Sequence, residues 1–144
     1  MTYVKYKPEH SKVIVSLGAV GICTDISEED VEVFSECKSS ETAFTCMDED
    51  QPISCGGYDI MWPGVGQAWY LCVKNIKPMA VRGDKMKFME LIKDSGLWRV
   101  QAPLIAGSKT TVRFAEYMGF EYEATLKKYH MNKKDALMYI LGDL

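Results

Sequence analysis

The sequence predicts one α+β domain over residues 1–144, with a mixed, twisted sheet of about six to seven strands flanked by about four helices. Two observations carry this. Strand-like and helix-like stretches mix along the whole chain, with no repeat, low-complexity segment or interdomain linker between them. The stretch 97–141 is the most legible: a strand from Leu97 to Pro103, a short linker, a helix closing on Met118-Gly119-Phe120, then two more strands. A length of 144 residues also suits a single core.

Taken in order, Thr2 to Lys7 alternates as a short strand, and Pro8 suits the first turn of a helix. His10 to Leu17 is a compact apolar segment ending at Gly18. Asp25 or Ser27 can cap a second helix, Glu28, Glu29 and Asp30 favour its positive end, and Ile26, Val31 and Phe34 give it an apolar side. Ser39 to Met47 reads as a strand, Met47-Asp48-Glu49-Asp50 as a hairpin turn, and Ile53 to Trp62 as the returning strand. Pro63-Gly64-Val65-Gly66 breaks the chain before a strand from Gln67 to Val73.

A helix is expected over Lys85 to Lys93, with Met86, Met89 and Ile92 on its apolar side, ending at Ser95-Gly96. In the last helix Val112, Ala115 and Met118 share a side, and Gly119 falls where a left-handed stop belongs. Strands from Phe120 to Tyr129 and Ala136 to Leu141 close the chain.

The net charge of -3 supplies no global basic field, so nucleic acid is not an expected partner, despite Lys127-Lys128-Tyr129-His130 and Lys133-Lys134. No apolar run approaches the roughly 20 residues of a membrane span. The first residues lack the apolar core of a signal peptide, so a cytoplasmic protein is expected. The five cysteines (Cys23, Cys37, Cys46, Cys55 and Cys72) have no C-x-x-C spacing, and only His10 and His130 accompany them. They read as reduced, mostly buried small residues, and no metal site is expected. Trp62, Trp69, Tyr70 and Trp98 read as core or cleft walls.

The element order, the Gly56-Gly57 hairpin, the aromatic Trp69-Tyr70 strand, the basic Lys85-Met86-Lys87-Phe88 helix opening, Leu97-Trp98 and Val112-Arg113-Phe114 before Gly119 together carry a resemblance. The chain resembles the GNAT superfamily of N-acetyltransferases, and within it a degenerate branch of short-tailed bacteriophages that includes internal virion or virion-assembly proteins. The resemblance implies acetyl-coenzyme A as cofactor, with its pyrophosphate on a loop of pattern [Q/R]-x-x-G-x-[G/A] at a helix N-terminus. Arg82-Gly83-Asp84-Lys85-Met86-Lys87 is the corresponding stretch. Arg82 fits the opening position, while Lys85 and Lys87 replace the small residues. They either hold phosphate by side-chain charge or fill the site.

The family's helix pattern puts a pantetheine-contacting Asn at Ser108, here also a helix N-cap, and a general-acid Tyr at Ala115, which carries no proton to give. Tyr117, two residues on and turned about 200° around the helix, is a candidate replacement acid that also reads as a surface or interface tyrosine. Asp59, the carboxylate in the strands flanking the expected cleft, is a candidate base that on the alternating pattern equally reads as solvent-facing. Two readings follow. One is an acetyl-CoA-dependent N-acetyltransferase acting on an amine, with Gln67 to Leu71 positioning the acetyl group. The other is a non-catalytic relative in phage particle assembly or another protein–protein role, with a phage or host protein as partner, in the host cytoplasm or the virion.

Overall fold

A computed structural model describes residues 1–22, 30–142 and 144. They fall into two compact units: Met1–Asp59 with Trp69–Gly96, and Ile60–Ala68 with Leu97–Leu144. In chain order the elements are β1 (Thr2–Lys5), α1 (Pro8–Ser16), β2 (Val20–Ile22), α2 (Val31–Cys37), β3 (Ala43–Asp48), β4 (Gln51–Trp62), β5 (Val65–Cys72), α3 (Pro78–Lys93), β6 (Arg99–Ile105), α4 (Lys109–Tyr117), β7 (Phe120–Leu126) and β8 (Ala136–Leu141). Strand order is β1-β3-β4-β5 in the first unit, with β2 also on β5, and β4-β5-β6-β8-β7 in the second. Strands β4 and β5 run through both. The ladder of β5 with β6 is parallel, and those of β1, β2, β3, β7 and β8 with their partners are antiparallel. This is the mixed α+β arrangement the sequence predicts, with the short β2 added to it.

In the first unit, Pro8 opens α1, where its missing N–H costs nothing. The core gathers Tyr6, Ile14, Ala43, Cys55, Trp69 and Leu71. Burial of Tyr6 is compatible with its polar end because the hydroxyl lies 2.7 Å from Ser11 Oγ and donates to the Ser35 carbonyl at 2.9 Å. The expected caps Asp25 and Ser27, with Ile26 and Cys23, lie outside the described residues, and α2 is described from Val31. A short 3-10 turn, Ser40–Thr42, replaces the start of the strand expected from Ser39. Cys46, Cys55 and Cys72 are buried as read, whereas Cys37 is exposed.

Several expectations need correction. The hairpin between β4 and β5 turns on Pro63-Gly64 alone, Gly64 taking φ 87°, so Val65 and Gly66 are already strand. Gly56-Gly57 is not a hairpin: both lie inside β4, paired with Phe44 and Ala43. Helix α3 starts at Pro78, seven residues before the expected Lys85. Its buried stripe is Ala80, Asp84, Phe88 and Ile92, at strict i, i+4 spacing. Met86 and Met89 are therefore on the exposed side, and Trp62 at the end of β4 and Trp98 just before β6 are exposed too, where core or cleft walls were expected. The stripe contains a carboxylate, which a search for apolar periodicity passes over.

In the second unit, β5 and β6 pair over Val65–Arg99, Gly66–Val100 and Gln67–Gln101. Two residues later Pro103, which has no N–H, occupies β6 opposite Met138 of β8. Helix α4 rests on β6 and β7, burying Ala115 and Met118, and stops at Gly119 with φ 99°. Strand β7 ends at Leu126 instead of Tyr129. Its partner ladder with β8 shifts register between Tyr122 and Ala124, and the intervening Glu123 forks onto Arg99 at 2.6 and 2.7 Å.

Candidate functional site

Asp84 is fully buried in α3, facing the strands of its unit. Tyr3 donates to Oδ1 at 2.8 Å and Tyr70 to Oδ2 at 2.5 Å. Burial pushes the carboxyl above the usual carboxylate range, and the hydroxyls of Tyr70, Ser54 and Tyr3 pull part of the way back. The same burial, with the carboxylate as neighbour, raises both phenols, and holds the Cys72 thiol up at about 11. Gly83 has its own reason here. A Cβ on it would stand 2.4 Å from the Tyr3 hydroxyl, so the glycine admits the tyrosine that satisfies Asp84.

A second polar group lies at the end of α2. Lys38 Nζ sits 2.5 Å from Asp59 Oδ2, 4.6 Å from the centre of the Phe34 ring and 5.4 Å from that of Trp69. The two rings meet edge to face, centroids 5.4 Å apart and planes at 87°. Asp59, a candidate base by sequence, is thus held by a lysine 21 positions away that sequence reading did not single out.

The residues expected to cradle phosphate are placed differently from expectation. Because α3 begins at Pro78, Arg82, Gly83, Lys85 and Lys87 lie beyond its first turn, where N–H groups are committed to the helix. Arg82 is exposed, and Lys87 pairs with Glu90 at 3.5 Å. The positive end of α3 belongs to Lys77 and Pro78, with Lys74 just before them. The signal for this was Pro78 itself, a residue favoured at the first helical position.

Ser108 caps α4 as expected. Its Oγ accepts from the Thr111 N–H at 3.3 Å and lies 2.8 Å from Thr111 Oγ1. It borders an open hollow of about 390 Å³ with Lys109, Val112, Arg113, Glu116 and Leu137. Ser108→Ala is expected to cost about 1 kcal/mol of stability, read by urea unfolding, since it removes one cap. Tyr117 is 41% exposed at the end of the helix, while Ala115 takes the interior position. Among the described residues no group of three or more His, Cys, Asp or Glu side chains could hold a metal ion.

No protein-family profile matches the sequence, and no curated protein matches it either. The fold is that of GNAT acetyltransferases of known structure. A ribosomal-protein-alanine N-acetyltransferase from Brucella melitensis superposes with a TM-score of 0.71 at 14% identity, covering 97% of this chain and 98% of that one. A GNAT-family acetyltransferase from Streptococcus pneumoniae gives 0.69 at 14% identity, covering 98% and 99%. The NatC complex bound to Gag peptide and CoA gives 0.68 at 14% identity, covering 100% of each chain. At these identities the likeness establishes the fold.

Proposed function

We propose that the chain is a coenzyme-A-dependent N-acetyltransferase acting on an amine. The observation that supports this best is the likeness, over nearly the full length of both chains, to two acetyltransferases and to the NatC complex bound to Gag peptide and CoA. In the proposed reaction an amine nitrogen attacks the thioester carbonyl, the C–S bond breaks, and the thiolate leaves with a proton gained from outside itself. The amine loses one proton in exchange.

On this reading the segment Gln67 to Leu71 of β5 positions the acetyl group. The parallel ladder with β6 ends at Gln67, and among the described residues the antiparallel ladder with β2 covers Tyr70 to Cys72. The start of α3, with Lys74 and Lys77, is the better-placed phosphate site, by lysine charge and the helix dipole and not by free amides, because Pro78 has no N–H and the Ala80 N–H already reaches the Lys77 carbonyl at 3.0 Å. Arg82, Lys85 and Lys87 would contribute only by side-chain charge, and Gly83 only through Tyr3. Ser108 would meet the pantetheine arm with a hydroxyl already engaged in capping. Asp59 is the base once its lysine partner leaves, and Tyr117 or water returns the proton to the thiolate.

Isothermal titration with acetyl-CoA tests the reading. A dissociation constant on the order of 1 μM to 1 mM is expected. No heat at millimolar ligand would sink it. The second reading is a non-catalytic GNAT-like protein of the phage-assembly type, argued from Ala115, which is buried where the family's acid is expected. That reading requires a silent titration.

A further inference from the structure

We propose that Phe34, Trp69 and Asp59 form a recognition site for a primary alkylammonium group, and that Lys38 of the same chain occupies it in cis. An ammonium leaving water needs a counter-charge and polarisable faces to replace its hydration. This corner supplies all of them: a carboxylate oxygen 2.5 Å from Nζ and two nearly perpendicular ring faces with centroids at 4.6 and 5.4 Å. A surface ion pair has no need of the rings.

The walls are fixed independently of their occupant. Trp69 is 3% exposed and packs edge to face on Tyr6 at 5.3 Å, and Tyr6 is pinned by Ser11 and Ser35. The Trp69 indole N–H is buried with no acceptor among the described residues. The occupant is the more movable part. Lys38 follows the end of α2 with extended backbone, and its four-carbon stem can swing out by side-chain rotation alone. The Lys38 side chain is 12% exposed but that of Asp59 31%, so the carboxylate wall is open to an ammonium arriving from solvent.

The ligand is therefore a primary amine carried on an unbranched alkyl stem, as in a lysine side chain or a polyamine, and Lys38 competes with it. The site rests on the acetyl-transfer reading only for the view that this amine is the acyl acceptor. Ammonium binding is measured without coenzyme, so either idea can fail alone.

The test titrates n-butylammonium into the full chain and into Lys38→Met, following the Trp69 indole resonance by NMR. About tenfold tighter binding is expected in Lys38→Met, because the tethered competitor is gone. n-Butanol, the same shape without charge, should not bind. Adding Asp59→Asn to Lys38→Met should weaken n-butylammonium about tenfold. Equal affinity in wild type and Lys38→Met overturns the proposal, as does an equal response to n-butanol. A measurement on the wild type keeps it exposed if the variants fail to fold: saturating n-butylammonium should move the Lys38 Cε resonance toward that of a free lysine. A resonance that stays put overturns it.

Discussion

Asp84→Ala is expected to lower the unfolding free energy by about 3 kcal/mol near pH 4, and by progressively less as pH rises. The loss has two sources. Two part-buried or buried phenols, Tyr3 and Tyr70, lose the acceptor they now share, each at roughly 1 to 3 kcal/mol, and the missing carboxyl leaves a small void. The opposing effect depends on pH. Burial raises the folded-state pKa of Asp84 above its unfolded value of 3.8. The folded chain therefore holds the proton more tightly, and the associated stability is fully present below the unfolded pKa. It is lost as pH climbs through the raised folded pKa, because an ionised carboxylate must then stay buried without a cation paired to it among the described residues. Asp84→Asn keeps an acceptor and cannot ionise, so its stability should not fall over that window. Urea unfolding of the three proteins from pH 4 to 8 reads both effects. A wild-type curve parallel to that of Asp84→Asn would show that Asp84 does not titrate as described.

The same residue explains where the sequence was readable and where it was not. Helix α4 and its flanking strands were legible because each local rule agrees with the tertiary result: Ser108 caps, Ala115 and Met118 face inward, Gly119 stops the helix, and Ala136–Leu141 returns as a strand. Helix α3 breaks that agreement twice. Its buried stripe carries Asp84 among apolar residues, and Gly83 sits in its interior because Tyr3 needs the space. Apolar periodicity without Asp84 shifts to Met86 and Met89, which are exposed, and the helix start moves with it from Pro78 to Lys85. The residues expected to cradle phosphate fall inside the helix for the same reason.

The site was half legible. Asp59 stood out as a strand carboxylate, but its partner could not, since Lys38 meets it through β4 folding back past the end of α2 and not through any sequence spacing. Phe34 read as the apolar side of a helix and Trp69 as core, and both readings hold. What sequence could not show is that their faces converge on one ammonium.

Gly57→Ala should be among the most damaging single methyl additions in the chain, at about 3 kcal/mol or more by urea unfolding. Gly57 pairs with Ala43 in the β3–β4 ladder. A Cβ there would lie 2.1 Å from the Thr42 carbonyl oxygen, 2.6 Å from Ala43 Cα and 2.9 Å from its Cβ. The first two are backbone, so no rotamer change relieves them and the strands must part. Gly56 makes the contrast. Its Cβ would stand 3.0 Å from the Trp69 carbonyl and from the Tyr70 ring, a contact that small movements ease, and Gly56→Ala should cost about 1 kcal/mol. Equal losses in the two variants would contradict this account of the strand contact. The effect also reaches the ammonium corner. Gly57 and Asp59 lie two apart on β4 and so share a face. Pushing Gly57 away from Ala43 re-aims the Asp59 carboxylate, whereas Gly56, on the other face, leaves it in place. In a Lys38→Met background, n-butylammonium binding should therefore survive Gly56→Ala and be lost with Gly57→Ala, at temperatures where both remain folded.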